Sequence, residues 1–287
     1  MSIRSTGGRA RLVALALGLA AVLPGGAVQL RYKFKAGEKL VYHDRAALAM
    51  EISGMGDKPE RLQIRSDSRV RQTVKSAGGG GATLETETIE NSTETIPEKG
   101  ERKKSEEKGH PQRVKIDDRG LVSERKNLGK DVKKDNPFDE FAIIQAVFDH
   151  LRLPEGDVDE GKEWTETFEV NVTPGLDKPT LAKASATSRF ARLVKVKGVE
   201  CVEIITEFSL PYKTPKAIDA EGVKLTLDGQ MTGKLTQYFA PAQGQSLVEM
   251  ATVGSAVTVT VQPLAGKADK ITMQQRLKVN TKTVLET

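Results

Sequence analysis

Strict alternation of apolar and polar residues runs through most of this chain and limits its fold to a sheet with one buried face. The even positions from Leu30 to Phe34 are apolar between basic neighbours, and after a turn at Gly37 the even positions from Leu40 to Ile52 continue the pattern. Successive side chains of a strand point to opposite faces. This spacing therefore predicts one long strand with a buried face and a solvated face.

The same alternation returns in eleven shorter stretches separated by turn signals. Asp228-Gly229 is typical of a tight hairpin between two of them. Because every connection is short enough for a hairpin, the sheet is predicted to be antiparallel. The predicted fold class is mainly β, or β-dominated α+β, with strands near residues 62–74, 83–89, 114–116, 121–122, 164–172, 185–196, 199–208, 223–227, 230–239, 257–261 and 271–279.

One segment has helical periodicity instead, at about 136–153. Asn136 suits an N-cap and Pro137 suits the first helical position, while Pro154 ends the segment. Apolar residues recur there at intervals of three and four, as on the buried face of an amphipathic helix. The predicted stripe consists of Phe138, Phe141, Ile144, Phe148 and Leu151, widened by Ile143 and Val147.

Four short patterns occur twice, in the same order, and this repetition predicts an internal duplication. Ser68-Arg69-Val70 matches Ser188-Arg189-Phe190, and the Gly120 turn matches the Gly244 turn. We therefore divide the chain into a first β-unit at 28–135, a connecting helix at 136–154 and a second β-unit at 155–287. Within the first unit, residues 97–112 are almost devoid of apolar side chains, which predicts a mobile charged loop.

Residues 1–27 have the pattern of a signal peptide. Three arginines precede an uninterrupted apolar run from Leu12 to Leu23, and small residues follow up to Ala27. A membrane-spanning helix needs roughly 20 apolar residues, so cleavage after Ala27 is the favoured interpretation. The sequence thus predicts a bacterial protein that meets the membrane only during export and works in the periplasm or outside the cell.

Charge and cysteine content exclude several classes of protein. The full chain carries +5, and removal of the three leader arginines leaves +2. Lysines alternate with glutamates and aromatic residues make up 5%, which does not fit a nucleic-acid-binding surface. Cys201 is the single cysteine, so no internal disulfide forms. A core of this size can form without one.

No catalytic motif or cofactor motif is present. The sequence lacks a Gly-x-Ser-x-Gly elbow, a dinucleotide-binding glycine pattern and a P-loop, so we expect no enzyme activity and no cofactor. The three histidines are too far apart in sequence for a zinc site. The weak metal candidate is a calcium loop, although Glu160 stands where its sharp turn needs glycine; the carboxylates concerned are Glu155, Asp157, Asp159 and Glu166.

The chain resembles bacterial exported β-rich proteins of unknown function, some of which are similar to the lipoprotein carriers LolA and LppX. The resemblance rests on the N-terminal alternation around Gly37, the Asp117–Gly120 turn, and Gln237-Tyr238-Phe239 turning through Gly244. It implies a curved antiparallel sheet with helical cover. It transfers no ligand-binding residue.

Two functions follow as expectations. The first is a non-catalytic module that binds an apolar ligand or a cell-envelope partner, in a cavity lined by the five residues of the helical stripe. The second is a structural or interaction protein of the envelope that has no small ligand. An enzyme of unfamiliar type and a calcium-binding protein are the less favoured alternatives.

Overall fold

The computed structural model describes residues 26–286 except 55, 57, 130–138, 177, 215–216, 221–222 and 264–269. It contains one helix, α1 (Glu140–His150), within those residues. The strands are β1 (Lys39–Ser53), β2 (Glu60–Gly78), β3 (Gly81–Pro97), β4 (Lys103–Ser105), β5 (Gln112–Asp117), β6 (Val122–Asn127), β7 (Glu163–Asn171), β8 (Leu181–Val196), β9 (Val199–Lys213), β10 (Ile218–Ala220), β11 (Val223–Ala240), β12 (Gln245–Pro263) and β13 (Ile271–Leu285).

All 13 strands join in one sheet that does not close on itself. The main path runs β6-β5-β3-β2-β1-β13-β12-β11-β9-β8-β7, while β4 pairs with β3 and β10 pairs with β11. Every pairing in it is antiparallel, as the alternation predicts. The prediction of a mainly β fold with one helix on a sheet face is confirmed.

The sheet has two contiguous halves whose strands fall within the predicted units 28–135 and 155–287, and the division of the chain into two units stays a prediction. Strands β1–β6 form one half and β7–β13 form the other, and they meet where β1 pairs with β13 over twelve residue pairs. The four repeated patterns occupy corresponding places in the two halves. Residues 37–40 and 161–164 lie at the starts of β1 and β7, and residues 85–89 and 201–205 lie in β3 and β9. The Ser68 and Ser188 patterns lie in β2 and β8, and the two glycine turns follow β5 and β11. Duplication explains this correspondence but stays a hypothesis.

Helix α1 bridges the two edges of the sheet. Its buried residues are Glu140, Ile143, Ile144 and Val147, which share one helix face. Ile143 and Val147 join the main core with inward side chains of β7–β9 and β11–β13. On β6, Arg125 forms a bidentate ion pair with Asp149 of α1, at 2.6 Å and 3.0 Å. The helix thereby covers what we call the inner face of the sheet.

The structure corrects the bounds of two predicted elements. Helix α1 begins at Glu140 rather than 136, because Asp139 caps it by accepting hydrogen bonds from the backbone N–H groups of Phe141 and Ala142. The predicted N-cap Asn136 lies outside the described residues. Residues 30–34 belong to no strand, since they cross one end of the sheet instead of pairing along it.

Two turn predictions also need correction. Asp228-Gly229 lies inside β11 and not in a hairpin, with Gly229 paired to Val257 on one side and to Tyr212 on the other. Glycine is required there because a Cβ atom would come within 2.2 Å of the Ala256 carbonyl oxygen. In the predicted loop 97–112, residues Lys103–Ser105 form β4, because β3 extends beyond β5 and leaves an open edge to pair with.

Candidate functional site

Residues 28–38 form a strap across one end of the inner face. Val28 pairs with Val158, the Tyr32 N–H donates to the Asp118 carbonyl, and the Lys33 N–H donates to the Gly244 carbonyl. The Tyr32 ring packs edge-on against Phe239 at 5.2 Å. The strap therefore holds the corresponding turns of both halves of the sheet.

Glycine makes this close approach of the strap geometrically feasible. Gly120 and Gly244 both have positive φ, a backbone region that side chains disfavour. A Cβ atom on Gly120 would lie 3.0 Å from the Tyr32 ring, and one on Gly244 would lie 2.5 Å from the Lys33 backbone nitrogen. The two repeated glycine turns therefore make room for the same segment.

Two adjoining cavities lie on the inner face between the strap, α1 and the central strands. Their volumes are about 370 Å³ and about 440 Å³. Apolar side chains of both halves, such as Leu84 in the first and Leu235 in the second, form much of their walls. The residues common to both cavities are Tyr32, Asp44, Ile116, Gln145, Glu249 and Thr283.

Two carboxylates stand among these walls at the junction of the halves. Asp44 of β1 and Glu249 of β12 both pair with Thr283 of β13, so they flank it from either side. Neighbouring strands lie about 5 Å apart, which puts the two Cα atoms about 10 Å from each other. Both side chains line both cavities.

Burial makes the charged form of each carboxylate unfavourable. It raises the pKa of Glu249, and the nearby charge of Asp44 raises it further, while Ser246 and Gln237 act in the opposite direction. Burial likewise raises the pKa of Asp44, against smaller opposite effects of Thr283 and His43. Glu249 keeps some exposed surface because its carboxylate borders the cavities.

The polar groups around Glu249 are only partly satisfied. Gln237 Nε2 donates to Glu249 Oε1 at 3.0 Å and to the Tyr32 hydroxyl at 2.9 Å. By contrast, Asp44 Oδ1 and Ser246 Oγ are buried and have no hydrogen-bond partner among the described residues. Ser246 lies close enough to favour the charged form of Glu249, but its hydroxyl makes no bond of normal geometry. Buried polar atoms without partners are rare and call for an explanation.

The residues of the helical stripe predicted to line a cavity lie in different surroundings in the structure. Phe148 and Leu151 line the larger cavity, and Phe148 packs edge-on against Phe208 at 5.9 Å. Ile144 is buried in the main core instead. Phe141 is 50% exposed and does not line the cavities, because α1 turns Ile143 and Val147 to the sheet. Phe138 lies outside the described residues.

The acidic segment after α1 provides no calcium site in the described part of the chain. Arg119 pairs with Glu155 at 3.1 Å and with Glu166 at 3.0 Å, and Arg152 lies 3.6 Å from Glu166. These guanidinium groups occupy the positions a cation would need. Asp157 and Asp159 join no cluster, since no three His, Cys, Asp or Glu side chains of the described residues are grouped to hold a metal ion.

Sequence reasoning missed Asp44 and Glu249, although a signal for both was present. Asp44 occupies an inward position of the alternating β1, between Tyr42 and Ala46. Glu249 lies in the same phase between Leu247 and Ala251. A carboxylate at an apolar phase of an alternating strand predicts a buried acid.

Comparisons with known proteins find only distant structural likenesses. No protein-family model and no curated protein sequence matches the chain. A lipovitellin structure, described by its lipid–protein interactions, aligns with 89% of the chain at 10% identity and a TM-score of 0.47. The chain spans about a quarter of that protein's length, 26%. DynF, from the dynemicin biosynthesis pathway of Micromonospora chersina, aligns with 96% of the chain and 92% of its own at 9% identity and a TM-score of 0.23.

These values assign the chain to neither family. As for membranes, no helix in the described ranges has the length and apolarity that a crossing requires.

Proposed function

We propose that this chain is a non-catalytic binding module that holds an apolar or amphipathic ligand beneath α1. The observation that carries the proposal is the pair of adjoining cavities, about 370 Å³ and 440 Å³, which are partly open to solvent and are bordered by both halves of the sheet, the strap and the helix. Ligand pockets are concave, largely apolar and contain a few placed polar groups. The resemblance to lipoprotein carriers supports the same class of ligand.

Export to the periplasm or the cell exterior is part of this proposal. Its support is the signal-peptide pattern, of which residues 1–25 lie outside the described residues. N-terminal sequencing of the protein secreted or released from its host tests it, and Val28 is the expected first residue.

A titration with N-phenyl-1-naphthylamine, an apolar dye that fluoresces in dry surroundings, tests the binding function. We expect saturable binding near one dye per chain, and Ala46→Leu should weaken it because Ala46 lines the larger cavity. Ala47→Leu is the matched control, since Ala47 is the next residue on β1 and is exposed. Equal binding by both variants would mean that the dye does not occupy the larger cavity and would contradict the proposed site. No binding by the unaltered protein would favour a structural role in the envelope without a small ligand.

A further inference from the structure

We infer that the ligand carries a cationic head group, held between Asp44 and Glu249 at the junction of the two sheet halves. This inference rests on the proposed function and adds the chemical class of the ligand. Apolar walls provide for the body of an amphiphile, and the carboxylates provide for one positively charged end.

Within the part of the chain that the structure describes, neither Asp44 nor Glu249 forms an ion pair with a basic side chain. The groups that act most on Glu249 besides burial are Ser246, Gln237 and Asp44, and none of them is basic. The basic group that most affects the pKa of Asp44 is His43. Its Nε2 lies 2.7 Å from Asp67, so the ring points to the other face of the sheet. A buried carboxylate is normally paired, so the missing positive charge is the feature to explain.

The basic residues that line the cavities lie next to other carboxylate or carbonyl groups, although the buried Nε of Arg152 forms no hydrogen bond among the described residues. Lys33 donates to the carbonyl groups of Pro241 and Ala242, at 3.0 Å and 3.1 Å. Arg45 pairs with Asp67 at 3.0 Å. Arg119 is held by Glu155 and Glu166, and Arg152 lies next to Glu166. Among the described residues, therefore, positive charge is directed away from Asp44 and Glu249.

A second, independent observation is the polar side chain of Ser246. Ser246 is 7% exposed and lines the smaller cavity, and its hydroxyl oxygen has no hydrogen-bond partner in the described structure. Asp44 Oδ1 is unpartnered in the same way. An ammonium group has three donors and no acceptor. Such a group between the two carboxylates would satisfy Asp44, Glu249 and Ser246 together.

Three amphiphiles with the same chain and different heads test the inference: dodecylamine, dodecanol and dodecanoate. Trp164 is the single tryptophan and lines the larger cavity, so its fluorescence reports binding. At pH 8 and below the aggregation concentration of each probe, we expect dodecylamine to bind roughly 10- to 100-fold more tightly than dodecanol, since charged hydrogen bonds contribute this much. Dodecanoate should bind most weakly.

The double variant Asp44→Asn/Glu249→Gln should remove the preference, so that dodecylamine binds no more tightly than dodecanol, and circular dichroism with urea unfolding shows separately that the variant is folded. Glu169→Gln is the matched control, because it removes the charge of an exposed carboxylate on β7. If all three probes bind equally, or dodecanoate binds best, the cationic ligand is refuted and the binding function stands. If no probe binds, the proposed function itself fails.

Discussion

The orientation of α1 can be tested by comparing two alanine variants on its opposite faces. Ile143 is 1% exposed, whereas Phe141 is 50% exposed. We expect Ile143→Ala to destabilise the protein strongly and Phe141→Ala to have little effect. The comparison is well matched because isoleucine and phenylalanine have similar helix propensities, so both changes to alanine bring a similar gain.

The magnitude for Ile143→Ala follows from its surroundings. The change removes three buried carbon atoms, which contributes about 2.4 kcal/mol at about 0.8 kcal/mol each. The void beside Ile143, near Tyr212 and Val257, holds only about 10 Å³, so the site is tightly packed and a new cavity must open. With that cavity, the loss of unfolding free energy is about 3 kcal/mol, within the usual range of about 2–5 kcal/mol. For Phe141→Ala we expect a loss below about 1 kcal/mol.

Urea unfolding followed by circular dichroism and by Trp164 fluorescence gives both free energies. An unchanged slope against urea would confirm that the variants differ in stability and not in the extent of unfolding. If Phe141→Ala cost as much as Ile143→Ala, α1 would have its phenylalanine face on the sheet. The sequence prediction would then be right about Phe141, and the cavities described beneath the helix would be wrongly placed.

Three further outcomes are expected. Arg125→Gln should lower the unfolding free energy by about 1 kcal/mol because it breaks the bidentate ion pair between β6 and α1. The control Glu124→Gln removes an exposed ion pair with Lys115 and should change the unfolding free energy by less than about 0.5 kcal/mol. Gly233→Ala should cost about 1–3 kcal/mol because its Cβ would lie 2.3 Å from the Phe208 ring, while Gly254→Ala, whose nearest contact is at 3.9 Å, should be neutral or stabilising. Burial raises the pKa of Glu140 above its ordinary value of 4.5, so this group favours the folded state below that pH and loses the effect as pH rises through its folded pKa. Relative to the unaltered protein, Glu140→Gln should therefore become more stabilising as the pH is raised from 4 to 8, as measured by urea midpoints, and a constant difference would contradict the raised pKa.

Most of the sheet could be predicted from the sequence because alternation along a strand and the choice of turn residues depend on residues close together in the chain. Alternation along β1, for example, places Leu48 and Met50 on the inner face, and both pack in or against the main core. The turn at Gly37 and the break after Ser53 also follow from residue type. Asp228-Gly229 shows the limit of this reasoning, because the same dipeptide suits a hairpin and a close approach between three paired strands. Only the neighbouring strands decide between the two.

The candidate site could not be predicted, because it depends on contacts far apart in sequence. Asp44 and Glu249 are brought together by the pairing of β1 and β12 to opposite sides of β13. Tyr32 lines both cavities from the strap, where the pattern predicts the first part of one long strand. The sequence predicts that Phe141 faces the cavity, but the predicted apolar stripe is wider than the face of α1 that packs against the sheet. Periodicity therefore predicts the helix but not its rotation about its own axis.

The position of the site follows from the way the chain closes its sheet. Starting at the centre with β1, the chain moves outward to the edge strand β6, crosses by α1 to the other edge at β7, and returns to the centre with β13. The first and last strands therefore meet in the middle, where no local hairpin joins them. If the halves arose by duplication, this junction is where strands of the two copies had to pair anew, and Asp44 and Thr283 face each other across it. An unpaired carboxylate is more easily accommodated at this junction than inside either half, because both cavities open beside it. A cation bound there would also stabilise the pairing of the two halves.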